Sequence, residues 1–307
     1  MNSLYRPVSL PSAAALVVAL IITVLFLSGL YVQLTRLSLD TQMLALQLAS
    51  FIQNLVFRTG LVYLIVRWHG EHRDQPAFRR PARLLASYAL CLLVWQIAQI
   101  FIVQVVLLSL ARNGTHLTAI VNLIAPVSAA LFAFVAWFAW RLVTRMFRND
   151  AIPEAPRGHA ARPVAGLAAW LFACVCLLLM TTTVPMLLDY FDDDLARMMF
   201  GYVGAVAVPA ALVFAGARLG LPRDLVRLHG WRLLGASLAA MASTSVVFYL
   251  AVQLLGGMLG AGVLSGMMAI VVLGCAFVAY WVWFRVFYAP VRRDTVETPR
   301  GMPSKAP

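Results

Sequence analysis

Residues 13–32 read AAALVVALIITVLFLSGLYV, twenty positions without a charge. A helix needs about 20 apolar residues to cross roughly 30 Å of hydrocarbon, whereas a buried helix of a soluble protein seldom runs beyond about 14. The run is too long for the apolar part of a cleaved signal peptide, and no clear A-x-A site follows it, so it reads as a retained membrane anchor. The rest of the chain repeats the pattern. Of its 307 residues 62% are hydrophobic and 12% charged, against roughly 25% charged in an ordinary soluble domain.

The sequence therefore predicts an all-α membrane protein of about eight transmembrane helices, near 11–32, 43–66, 84–110, 117–140, 164–188, 199–217, 233–255 and 261–284. Cations set the expected orientation, because Lys and Arg resist translocation and acids count for little. Arg67, Arg73, Arg79, Arg80 and Arg83 follow the second span, and Arg141, Arg145, Arg148, Arg157 and Arg162 follow the fourth. Arg218, Arg223, Arg227 and Arg232 follow the sixth, with Arg285, Arg292, Arg293, Arg300 and Lys305 after the eighth. The alternate loops hold only Arg36, Arg112 and Arg197, and one of them carries Asp189 and Asp192–Asp194. Both termini are expected in the cytoplasm.

The formal charge of +12 is shared among loops beside anionic headgroups, the ordinary membrane pattern, and no nucleic-acid partner is expected. The expected partner is the bilayer itself, with anionic lipids at the cytoplasmic face. Cys91, Cys174, Cys176 and Cys275 all fall in predicted spans, where a thiol is a small buried hydrophobe.

The halves resemble each other. GLVYLIVRWHGEHRD at 60–74 aligns with ALVFAGARLGLPRD at 211–224, and AFVAWFAW at 133–140 aligns with AFVAYWVW at 276–283. Between them Arg83-Leu84-Leu85 meets Arg232-Leu233-Leu234, and Val103-Gln104 meets Val252-Gln253. An even number of spans per copy implies two parallel four-helix repeats. The expected organisation is a first repeat over 1–150, a cytoplasmic linker over 151–163, a second repeat over 164–290 and a disordered cytoplasmic tail over 291–307. Gly216/Gly220, Gly256/Gly260 and Gly262/Gly266 are small-x-x-x-small pairs that allow helices to approach closely. Trp137, Trp140, Tyr280, Trp281 and Trp283 precede cytoplasmic arginines, as an interfacial aromatic belt does.

Several chemistries lack their residues. No predicted span carries an internal Asp, Glu, His or Lys, which argues against a proton relay. His69, His72, His159 and His229 fall on the cytoplasmic side and His116 at an outer end, so facing helices offer no bis-histidine haem site. The single lysine, Lys305, lies outside the spans, and an opsin-like Schiff base is excluded. Ser243, Ser245 and Ser265 have no base at their depth for nucleophilic catalysis and are expected to bond helix backbone. No phosphate-cradling glycine loop is present. His69, Glu71 and His72 crowd a flexible cytoplasmic loop that offers no fourth ligand for a metal. With Asp74 they are the only cluster a membrane-embedded enzyme could draw on, and no cofactor, metal or catalytic residue is assigned.

One charge stands well inside a span. Arg58 shares a helical face with Asn54 and Gln47, and Gln96 and Gln99 form a second polar stripe on the third span, with Tyr88 about two turns below. A guanidinium among amides, without a buried acid, suits an anionic or phosphate-bearing group. Gln104 and Gln253 occupy equivalent repeat positions and would be a structural polar pair. The position aligned with Arg58 in the second half is Pro209, so the two copies are expected to differ in role. The expected function is a transporter or flippase-like handling of a small or lipid-linked anionic substrate. The alternative is a non-catalytic subunit packed against another membrane protein. The arginine-rich composition and short loops suggest a bacterial inner membrane.

Overall fold

The computed structural model describes residues 9–36, 40–73, 77–112, 117–152, 160–181, 194–223, 228–255 and 261–296, with Val184, Leu187 and Leu225 standing singly in the connections. The helices are α1 (Leu10–Arg36), α2 (Thr41–Arg73), α3 (Pro81–Arg112), α4 (Leu117–Met146), α5 (Ala161–Thr181), α6 (Leu195–Gly220), α7 (Gly230–Leu255) and α8 (Ala261–Val296). Eight of these helices are long and apolar enough to cross a membrane. α8 continues to Val296, past the point where a disordered tail was expected to begin. The Gly256/Gly260 pair, His116, His159, Asp189, Asp192 and Asp193 lie outside the described residues.

Chain contacts divide the protein into two units, Met1–Leu39 with Asn54–Ala155, and Asp40–Gln53 with Pro156–Pro307. In the first, α3 is the centre, with α1 and α4 packed on it. Its buried positions Leu84, Tyr88 and Leu92 recur every four residues, one ridge of the helix. Phe132, Ala136 and Trp140 of α4 supply the facing ridge. Tyr88 carries its ring edge-on to Trp140 at 5.1 Å between centroids and donates its hydroxyl to the carbonyl of Ala136 at 3.4 Å. α2 reaches α4 through the side chains of Arg58 and His69.

Two short strands that no periodicity announces, β1 (Ala77–Phe78) and β2 (Ala151–Ile152), pair antiparallel. The ladder is extended by the Arg79 amide donating to the Asp150 carbonyl at 2.8 Å. This clip joins the connection before α3 to the one after α4. Pairing satisfies backbone groups of loops that would otherwise rely on water, and Phe78 is buried beneath it.

The second unit is closed more tightly. α5 packs on α6, and α8 packs on both α6 and α7. α6 meets α8 through Gly216 and Gly220, as their spacing predicted: a Cβ at Gly216 would collide with the Phe277 carbonyl oxygen. One at Gly220 would stand 2.6 Å from the Trp281 carbonyl oxygen and 2.9 Å from the Phe284 Cβ. On α8, Tyr280, Phe284 and Tyr288 stack at i, i+4 intervals with centroids 5.9 Å apart. Ser243 donates to the Ala239 carbonyl at 2.8 Å, the backbone bond expected of it, and also accepts the Trp283 indole N–H at 2.9 Å. Glycine in one helix and aromatics in the other give close van der Waals contact, the attraction that replaces hydrophobic burial where the solvent is lipid.

Candidate functional site

Ser128, Phe132, Ala136, Trp140 and Thr144 follow one another at four-residue intervals along α4, an i, i+4 ridge that winds slowly about the helix over roughly 24 Å. Side chains of α2 and α3 dock along it. Gln99 of α3 donates its amide to the Ser128 hydroxyl. Arg58 of α2 lays its guanidinium over the Phe132 ring, 4.7 Å from the centroid. Tyr88 takes the Ala136 carbonyl, and at the far end the Nε2 of His69 lies 3.4 Å from the Thr144 hydroxyl. Arg58 and His69 are eleven residues apart, close to three full turns, and so share a face of α2.

Arg58 does not reach for the end of its helix. Its guanidinium rests on Phe132, roughly 18 Å along α4 from Thr144. Among the described carboxylates of this unit, Glu71 pairs with Arg67 at 2.8 Å, and Asp150 sits in the 3-10 turn Arg148–Asp150 that precedes β2. Neither pairs with Arg58. Placing an arginine deep in a bilayer costs about 3 kcal/mol on insertion scales. A desolvated cation–π contact returns at most about 2 kcal/mol. The difference favours an anion or water at the free edge of the guanidinium.

The other expected site residues divide. Gln96 is buried three residues before Gln99 on α3. The Gln99 carbonyl oxygen is itself buried without a hydrogen-bond donor, which leaves an acceptor near Ser128. Asn54 is exposed one turn from Arg58. Gln47 is grouped with the second unit, and Arg58, Gln96 and Gln99 with the first. Gln253 is exposed on α7, and the Gln104 side chain lies outside the described residues.

His69 was expected in a solvated loop with Glu71 and His72, but α2 runs on to Arg73 and buries it. The three neighbours take separate partners: His69 meets Thr144, Glu71 takes Arg67, and the His72 ring lies 4.5 Å from that of Trp68. Among the described residues no three metal-type ligands assemble, and Asp74 lies outside them. Ser128, Phe132 and Thr144 were missed. The clue available in sequence was the four-residue spacing of Ser128 and Thr144 with the aromatic positions of α4.

The fold and the ridge define a multi-pass α-helical membrane protein with a polar track through one of its two units. Among known proteins, the chain matches no family model, no curated sequence and no solved structure.

Proposed function

We propose that the protein is a transporter or flippase-like handler of an anionic substrate, small or lipid-linked, bound in the first unit at Arg58. The observation that carries this reading is the guanidinium in mid-helix, resting on Phe132 with no described carboxylate paired to it. Gln99, Ser128 and the buried Gln96 supply the neutral hydrogen-bonding groups that orient such a group. The protein resides in a bacterial inner membrane with both termini cytoplasmic, as its arginine distribution implies, and its halves are parallel repeats. On the sequence match, Pro209 stands where Arg58 does and Gly220 where His69 does. Glycine contact closes the second pair of helices, and polar side chains bridge the first. The second unit is accordingly the frame and the first the working part.

The test is transbilayer movement of a fluorescent phosphatidylglycerol in vesicles holding the purified protein. Wild type is expected to accelerate movement, and Arg58→Leu to slow it by about tenfold or more, the loss of one charge-assisted contact. Equal rates would overturn the assignment. Lack of movement with wild type, joined to a membrane protein that co-purifies at fixed stoichiometry in native nanodiscs, would establish the subunit reading instead.

Orientation has its own test. In a chain with Cys91, Cys174, Cys176 and Cys275 changed to serine, single cysteines at Arg79 and Arg148 are expected to react with an impermeant maleimide only from the cytoplasmic side. Labelling of either from the outside would invert the assignment.

A further inference from the structure

At the end of the α4 ridge remote from Gln99, the geometry points to a second anion site, in which Arg141, beside the buried His69–Thr144 pair, takes a phosphate group at the membrane surface. His69 and Thr144 are 7% and 4% exposed, so both are polar groups more than nine-tenths buried. The Thr144 hydroxyl lies 2.9 Å from the Trp140 carbonyl, to which it donates. Its lone pairs then face His69 Nε2, which is the protonated nitrogen in this arrangement.

Among the described residues, the charged side chains whose fields reach the His69 ring are the cations Arg73 and Arg141, with His72 nearby. Glu71 is turned to Arg67. Arg141 lies over the Trp137 ring at 5.3 Å and leaves its Nε buried with no hydrogen-bond partner. The buried Arg141 Nε–H and this positive charge, with no carboxylate paired to Arg141 among the described residues, make a low-dielectric site of positive potential. The guanidinium fork fits two oxygens of one phosphate, a geometry that ammonium and imidazole groups lack.

The depth matches as well. α2 is 33 residues long, about 50 Å, and overhangs a hydrocarbon layer of about 30 Å. His69 falls on the overhang, three residues past the last expected residue of its span, and Trp137 beneath Arg141 belongs to the expected interfacial belt. A phosphate there belongs either to a lipid headgroup or to a phosphorylated solute. The site requires no transbilayer movement and stands independently of the transport reading.

Binding is measured with the full chain in phosphatidylcholine nanodiscs, using short-chain phosphatidic acid and inorganic phosphate as probes. Wild type is expected to bind phosphatidic acid saturably, and Arg141→Gln to weaken it by about tenfold or more. Arg148→Gln, a change to an exposed cation on the same side, is expected to stay within about twofold. Thr144→Val, which removes the hydroxyl that holds His69, provides a second reading if Arg141→Gln folds poorly, and is expected to weaken binding several-fold. Competition by millimolar inorganic phosphate would assign the site to phosphorylated solutes, and its absence would assign it to headgroups. Equal affinity of Arg141→Gln and Arg148→Gln, or no effect of Thr144→Val, would overturn the site. Loss caused by Arg58→Leu but not by Arg141→Gln would overturn it too, while leaving the Arg58 reading intact.

Discussion

Gly216→Val is expected to lose more than about 3 kcal/mol of folding stability, read as a large fall in the unfolding midpoint of the purified protein in detergent. The Cβ alone would collide with the Phe277 carbonyl oxygen, and the next atoms it meets are also Phe277 backbone. A backbone atom cannot rotate away as a side-chain tip can, so α6 and α8 must part along several turns. Gly220 would be forced from Trp281 and Phe284 by the same motion. Gly235 faces the edge of the Phe287 ring, which can turn, and its alanine variant should cost less. Gly204 supplies the control within α6: nothing lies within 4 Å of its Cβ position, and Gly204→Ala should be neutral or stabilising by up to about 1 kcal/mol. If Gly216→Val melted like wild type, the close approach of α6 to α8 would be refuted.

Trp140→Ala should have the second largest effect, and comparison with Trp140→Phe identifies its cause. Trp140 is 2% exposed, holds the edge contact with Tyr88, and offers its carbonyl to Thr144. In lipid the transfer part of a large-to-small substitution mostly disappears, since the side chain leaves one apolar medium for another, and the unfilled volume remains. Removing roughly 140 Å³ at about 24 cal/mol per Å³ gives about 3 kcal/mol. The indole nitrogen is buried and makes no hydrogen bond, so phenylalanine keeps most of the packing and sheds an unpaired donor. Trp140→Phe is therefore expected within about 1 kcal/mol of wild type. A large loss in the phenylalanine variant would mean that the N–H has a partner after all.

The helices were legible because a span announces itself by composition alone, and the Gly216/Gly220 contact because small residues at i, i+4 have one common use in a membrane. The ridge was harder to see. Periodicity says which residues share a face of one helix and nothing about the neighbour that face meets. Thus the face that singled out Arg58 together with Asn54 and Gln47 could be read from the sequence, whereas the exposure of Asn54 and the grouping of Gln47 with the other unit could not. His69 was misread for a different reason. Arg67, Glu71, His72 and Arg73 around it have the look of a solvated loop, yet helix α2 carries through them and turns one side to α4. β1 and β2, two residues each, are shorter than any pattern of alternation.

The clip between β1 and β2 also constrains how the chain was threaded into the bilayer. Two strands can exchange hydrogen bonds only in the same compartment, so Ala77 and Ile152 emerge together. The segment between them must then cross an even number of times. α3 and α4, both long and apolar enough to cross, supply that even number whichever compartment is chosen and without reference to charge. A translocation machine that inserted one of them alone would leave the two strands on opposite sides with no partner. Closing the ladder is thus open to α3 and α4 inserted together and closed to either one inserted alone.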